Sequence, residues 1–451
     1  MTVAHMSPPP AMVAPVRPGR HDPFQTQGVD ADTATLTAQA YLRRIHWTRV
    51  ASPLNTPLVA VLDTGVTPAA AGLAGRVDTA GARSFAPGGG DAQVDAEGHG
   101  THVAGIIATV ASGTLARPGV RILPVQVAGS TGETSAQAVA AGIRYAVSHR
   151  ARVINLSLQG QGFSRAEQDA INDATRARVL VVAASGNTGT DAREYPGAYR
   201  HVLAVGAVGP DGVALTDSTR GLQVAVAAPG QDILSSGASG PAGGPRFDTR
   251  SGTSMAAAVV TGMATRILAA RPKLTPSQVT EIIMASARGT PGGVDRARGT
   301  GIVDLGRALR TPVPADDAPE PDDDAPSARL LPALLAAGQT SGERSGRLRT
   351  WADLRDEAVV HLEAGQVLDA EASVSGQADV DLYLWRPGAP IYRQGAIFAR
   401  RWLAAGAVAR GPHETLTYRA PQAGDYVLEV RLAGAVRLIR PTYSLTASVV
   451  G

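Results

Sequence analysis

The 451-residue chain has no cysteine and a single lysine, Lys273. Without a thiol there is no disulfide framework, no cysteine-ligated zinc and no thiol nucleophile. With one lysine, arginine supplies 41 of the 42 basic residues, and the net charge is only +3. The arginines are scattered along the chain. Nucleic-acid binding needs them gathered on one element, so that class is set aside. No continuous stretch of about 18 apolar residues is evident, and no membrane span is expected. Aromatics are scarce and uneven: nine of the 18 fall in residues 1–328 and nine in the last 123. What remains is an ordinary globular composition, 44% hydrophobic and 18% charged, enough to bury a core in more than one domain.

The first 22 residues are rich in proline and small side chains, with Pro8, Pro9, Pro10, Pro15 and Pro18. They lack an apolar core preceded by basic residues, so no signal peptide is visible. Residues 1–22 read as a flexible extension.

From about residue 55 to 310, apolar runs alternate with helical patterns. Leu58–Leu62, Ile122–Val127, Val153–Leu158, Val179–Ala184, Val202–Val208 and Leu222–Ala227 read as buried strands. Between them, Val103–Val110, Ser135–Ser148 and Ser164–Ala177 read as helices, and Ser254–Ala270 follows as a buried helix. Continuous apolar strands alternating with helices predict a parallel sheet covered on both faces. Thr275-Pro276-Ser277-Gln278 has the N-cap, first-turn proline and third-position glutamine of a helix start.

Residues 312–328 are acidic and proline-rich and read as a solvated linker. Beyond 329 the period becomes two. Val380, Leu382 and Leu384 alternate with Asp381, Tyr383 and Trp385. Tyr426, Leu428, Val430 and Leu432 alternate with Val427, Glu429 and Arg431. This pattern, with the rise in aromatic density, predicts an all-β sandwich over 329–451.

Three segments carry chemistry. Asp63-Thr64-Gly65 ends a buried strand. Gly98-His99-Gly100-Thr101-His102 enters a helix. Ser251-Gly252-Thr253-Ser254-Met255-Ala256 enters another. Ligand sites of open α/β sheets lie at the carboxyl ends of the strands. An acid, an imidazole and a hydroxyl gathered there are the parts of nucleophilic acyl transfer. Simpler roles stay open: a turn aspartate, a metal pair at His99 and His102, a Gly-Asn turn at Asn187. The serine segment is not the Gly-x-Ser-x-Gly elbow of esterases, because residue 256 is alanine.

In these motifs the sequence resembles the subtilisin-like serine peptidases (peptidase S8), in which the order Asp, His, Ser is the known one. The likeness covers roughly Asp22 to Leu309 and extends to Val153–Gly160, Ala183–Asn187, Tyr195–Tyr199, Ala228–Gly230 and Gly299–Asp304. It implies a three-layer α/β domain over 23–311 with a mostly parallel central sheet. It also implies a serine endopeptidase with Asp63, His99 and Ser254 as triad and Asn187 as oxyanion donor. Ser157, Leu158, Gln159 and Gly160 would pair with the substrate. The expected partners are polypeptide substrates, the expected state a monomer, and the expected location secreted or cell-envelope.

There are departures. Ala258 stands where the family has proline, which implies a straighter helix. Gln159 stands where a small residue is usual. Ala111–Gly119 is short and lacks the family's Asn-rich calcium ligands. No cofactor is needed for the chemistry. Asp91, Asp95 and Glu97 read as a solvated acidic loop, with a weak ion site as the alternative. An inactive homologue acting as a binding protein is the rival function. Asp379–Trp385, Thr415–Val430 and Thr442–Val449 resemble the pre-peptidase C-terminal domains of bacterial peptidases.

Overall fold

The computed structural model describes residues 14–15, 40–48, 57–112, 120–221, 223–237, 246–289, 295–314, 333–348, 355–376, 378–389, 402–433 and 441–450. The chain divides into two compact units, Met1–Ala315 and Asp316–Gly451. The acidic stretch from residue 315 to 328, the loop 113–119 and most of residues 1–22 lie outside the described residues.

The first unit is built on a seven-stranded sheet. Its order is Arg83–Ser84, Arg121–Gln126, Leu58–Asp63, Val153–Leu156, Leu180–Ala184, Val202–Val208 and Val224–Pro229, and every pairing is parallel. The expected strands are therefore present. After Leu58–Asp63 the chain adds strands on one side, then crosses to Val153–Leu156 on the other. The direction of winding reverses at Leu58–Asp63, and a crevice opens at the carboxyl end of that strand.

Helices Ala136–Ser148 and Arg165–Arg176 close one apolar layer, in which Leu62, Leu123, Val139, Ile143, Ile154 and Ile171 meet. The helix His99–Ser112 packs against Thr253–Ala270. The histidine helix starts four residues before the Val103 expected from hydrophobic periodicity. Gly98 and Gly100 mask the start, yet each serves it. Gly98 holds φ +85°, and a Cβ on Gly100 would lie 3.0 Å from Asp63 Cβ. The Thr275 capping box forms as the sequence predicts, with Pro276 opening its helix.

Two corrections concern this unit. The helix Thr253–Ala270 is long and apolar enough to cross a membrane, where no such stretch was expected, but it is almost wholly buried in the core. It packs against the central sheet. The polar hairpin Ile233–Gly237 with Arg246–Arg250 was not anticipated. Its strands carry too few apolar residues to read as strands.

The second unit has two four-stranded antiparallel sheets. One runs in the order Ser341–Arg347, Thr442–Val450, Val367–Val374, His413–Arg419. The other runs Arg355–Leu362, Gly424–Ala433, Asp379–Trp385, Leu403–Ala407. Leu368, Leu382, Leu428, Leu445 and Val449 meet in its core. The expected alternation is strict in Thr442–Val450. It fails in Gly424–Ala433, where Val427 and Glu429 are buried on the opposite face. There Val427 joins Trp385 and Ala389 in a second small cluster.

Candidate active site

The carboxyl ends of three neighbouring strands place the first functional groups. Leu58–Asp63 ends in Asp63. Val153–Leu156 leads into Ser157, Leu158, Gln159 and Gly160. Leu180–Ala184 leads into Ser185, Gly186 and Asn187. Two helix starts supply the rest: His99 opens one helix, and Ser254 is the second residue of the other.

Asp63 and His99 meet directly. His99 Nδ1 donates to Asp63 Oδ1 at 2.7 Å, and both side chains are buried. The Thr64 backbone N–H donates to the same oxygen at 2.8 Å. A proton held on Nδ1 leaves the Nε2 lone pair as the ring's acceptor, and Nε2 has no hydrogen-bond partner among the described residues. Burial alone would lower the His99 pKa. The charge and hydrogen bond of Asp63, with help from Glu97, outweigh burial and the opposing Arg250, so the pKa lies above its ordinary 6.5.

Ser254 is not hydrogen-bonded to His99. Its hydroxyl makes a long, 3.5 Å bond to the Ser157 carbonyl. The serine helix is fixed from below by polar groups, of which the sequence singles out Ser157 but not Asn155 or Thr261. Ser157 Oγ donates to the Ser254 carbonyl at 3.1 Å, Asn155 Nδ2 donates to Ser157 Oγ at 2.9 Å, and Thr261 Oγ1 donates to Asn155 Oδ1 at 2.8 Å. The signal was available: Asn155 interrupts an otherwise apolar strand.

Asn187 stands beside the start of the serine helix. Its Oδ1 accepts from Thr253 N at 3.0 Å and Thr253 Oγ1 at 2.9 Å. A backbone donor at this oxygen sets which end of the amide is which, and directs Nδ2 elsewhere as a donor. Gln159, expected to line the site, reaches across to this segment: its Oε1 accepts the Asn187 N–H at 2.6 Å. The edge of Leu158–Gln159 carries an added strand, because Ala14–Pro15 pairs with it antiparallel.

The acidic loop differs from the solvated one expected. Asp95 is buried and accepts from Thr64 Oγ1, Gly98 N and Thr101 N at 2.8, 2.8 and 2.7 Å. It holds the start of the histidine helix against the Asp63 turn. Glu97 pairs with Arg250 at 3.1 Å, and Arg250 also contacts Asp248 at 3.3 Å. Among the described residues no group of three or more His, Asp or Glu side chains is arranged to hold a metal. His102 does not pair with His99 around an ion. Its Nε2 donates to the Ile233 and Asp248 carbonyls at 3.0 and 3.1 Å. Burial, with Arg250 and His99 nearby, holds its pKa well below 6.5.

The subtilase family model, peptidase S8, matches residues 55–301. The chain belongs to the subtilase family. Its relatives in that family include the cell wall-associated protease of Bacillus subtilis (strain 168), 38% identical over 52% of this chain and 26% of that protein. The thermostable alkaline protease of Halalkalibacterium halodurans is 36% identical over 57% of this chain and 68% of its own length. Subtilisin Savinase of Lederbergia lenta is 34% identical over 56% of this chain and 90% of its own length. A crystal structure of a lanthipeptide protease superposes with a TM-score of 0.55 at 24% identity, over 64% of this chain and 99% of that one. This last likeness is one of fold. The chain spans about a quarter of the first relative, and all three sequence matches cover little more than half of this chain. The subtilase match ends at residue 301, before the second unit begins.

Proposed function

We propose that the chain is a serine endopeptidase that hydrolyses polypeptides through Asp63, His99 and Ser254. The observation that carries this reading is the buried 2.7 Å bond from His99 Nδ1 to Asp63, which leaves Nε2 as a base. In the proposed reaction the Ser254 hydroxyl leaves its long contact with Ser157 and gives its proton to His99 Nε2. The oxygen attacks the scissile carbonyl, and His99 returns the proton to the departing amine. Water then releases the acyl group by the same route. Asp63 holds the tautomer and stabilises the imidazolium. The tetrahedral oxyanion is met by Asn187 Nδ2 and the Ser254 backbone N–H, at the positive end of an 18-residue helix.

Substrate would add a strand at Ser157–Gly160. The pairing of Ala14–Pro15 on Leu158–Gln159 supports this, since that edge takes an extended chain. The reading requires no cofactor and takes the protein as a monomer. The family relatives include proteases named cell wall-associated and extracellular, which supports a secreted or cell-envelope location. For the second unit, two four-stranded antiparallel sheets support the likeness to pre-peptidase C-terminal domains.

A fluorophosphonate probe tests the assignment. Wild type is expected to label and to digest casein, and Ser254→Ala to do neither. Labelling that survives the substitution rejects Ser254 as nucleophile. A folded wild type that never labels favours the inactive, binding homologue.

A further inference from the structure

Glu194 is a buried acid that the proposed reaction does not use. It is 2% exposed. The next residue, Tyr195, pairs its backbone with Gly160: Gly160 N donates to Tyr195 O at 2.8 Å, and Tyr195 N to Gly160 O at 2.9 Å. On the other side its stem lies against Gly186. A Cβ built on Gly186 would sit 2.7 Å from Glu194 Cγ and 2.9 Å from Glu194 Cβ. Gly186 itself has φ +110°, so this contact point belongs to a glycine on both steric and backbone grounds. Glu194 therefore joins the inner ends of the two segments that would flank the acyl side of a peptide, Leu158–Gly160 and Ser185–Asn187. Through Asn187 and Thr253 it is two contacts from the proposed nucleophile's helix.

The carboxylate is incompletely satisfied. Its Oε1 is buried and has no hydrogen-bond partner among the described residues. Among the described residues no cation pairs with it. A buried carboxylate oxygen without a donor costs about 1–3 kcal/mol or more, a cost that a donor brought by a bound ligand would remove. The chemistry it lacks is an N–H donor, ideally cationic.

We propose that Glu194 is a specificity-determining residue that receives the cationic side chain, arginine or lysine, of the residue preceding the scissile bond. This rests on the endopeptidase reading and names its substrate class. The side chain would enter between the two walls and give Oε1 its missing partner. Entry displaces the Gln159 amide from its 2.6 Å contact with Asn187 N, since that contact joins the same two walls. Gln159 is a flexible, half-buried side chain and yields readily.

The test uses the full chain and peptide amides that differ only in the residue before a fluorogenic leaving group. Wild type is expected to cleave the Arg and Lys substrates with kcat/KM at least about 10-fold above Leu and Phe. Glu194→Gln keeps the shape and is expected to lower kcat/KM for Arg and Lys by about 10- to 100-fold, the range of one charged hydrogen bond. The readout is the ratio of Arg or Lys to Leu or Phe, which should fall by about the same factor. Benzamidine, a bare cation of the right class, should inhibit wild type more strongly than neutral benzamide. That arm needs no variant to fold. Efficient cleavage after Leu or Phe with no gain for Arg or Lys, and equal inhibition by the two probes, overturns the Glu194 assignment alone. Failure to cleave any substrate, together with failure to label with fluorophosphonate, overturns the endopeptidase reading and the assignment with it.

Discussion

The two units bury their strands in opposite ways. In Leu58–Asp63 every residue after the first is buried, because helices cover both faces of a parallel sheet. In Thr442–Val450 burial alternates without exception, because one face meets the opposing sheet and the other meets water. The difference decides where chemistry can sit. A parallel sheet aligns all its carboxyl ends at one edge, so Asp63, Ser157 and Asn187 arrive together from strands far apart in sequence. An antiparallel sandwich sends successive strand ends to opposite edges and gathers no such set.

The largest effect that would sharpen this comparison is at the strand ends. Asn187→Ala is expected to lower kcat about 100- to 1,000-fold with little change in KM, as loss of one oxyanion donor does. A surface change in the sandwich, Thr446→Ala, should leave kcat alone. Equal effects would break the contrast.

Core burial comes next. Leu445→Asp should destabilise the sandwich by several kcal/mol, about 3 or more, while Ser444→Asp beside it, on the exposed face and opposite Ser345 and Ser373, costs about 1 kcal/mol or less. In the parallel sheet both Val59→Asp and Ala60→Asp should be severe, since both residues are fully buried. Chemical denaturation of the four variants measures this. A strong difference between the Val59 and Ala60 variants would mean that one face of the central sheet is not sealed.

The buried acids contrast in the same way. In the sandwich, Glu429 accepts from Trp385 Nε1 at 2.8 Å and Arg431 Nε at 2.7 Å. Glu429→Gln should cost about 1–2 kcal/mol, because Arg431, whose side chain is 31% exposed, loses its anionic partner while Trp385 Nε1 keeps an acceptor. Glu167, in the first unit, is fully buried, and burial pushes its pKa from 4.5 up to about 7, against a smaller lowering from the Tyr199 hydroxyl. A carboxyl raised in the folded state binds its proton more tightly there than in the unfolded chain. Its burden on stability therefore grows as pH rises from about 4.5 to 7 and is full above that, on the order of 3 kcal/mol. Glu167→Gln should raise the melting temperature at pH 8 and hardly change it at pH 4.5. A variant that destabilises at both would show that the Glu167 charge is held by a partner.

The smallest effect is on the pH profile. Because Asp63 and Glu97 raise His99, the acid limb of kcat/KM should have its midpoint above 6.5. Glu97→Gln should move it down. A limb centred below 6.5 in wild type would separate the measured base from His99.

Much of the first unit was legible in sequence because its signals are local. Apolar runs five or six residues long, the Thr275 cap, and three motifs rich in glycine each carry their own meaning. The start of the histidine helix was harder, since Gly98 and Gly100 lower helix propensity where tertiary packing requires them. The polar hairpin ending at Arg250 gave no apolar period. Asp95 looked solvated because a carboxylate in a Gly-rich loop usually is, and three donors from Thr64, Gly98 and Thr101 reverse that.

The sequence by itself determined the kinds of layers, the order of the reactive residues and the absence of thiol chemistry, since these depend on composition and on neighbours in the chain. Tertiary structure alone decided which oxygen of which acid meets His99, how Thr253 orients Asn187, and that Glu194 packs against Gly186. The first two depend on groups 36 and 66 residues apart approaching to about 3 Å, and distances of that kind are set by how the layers pack.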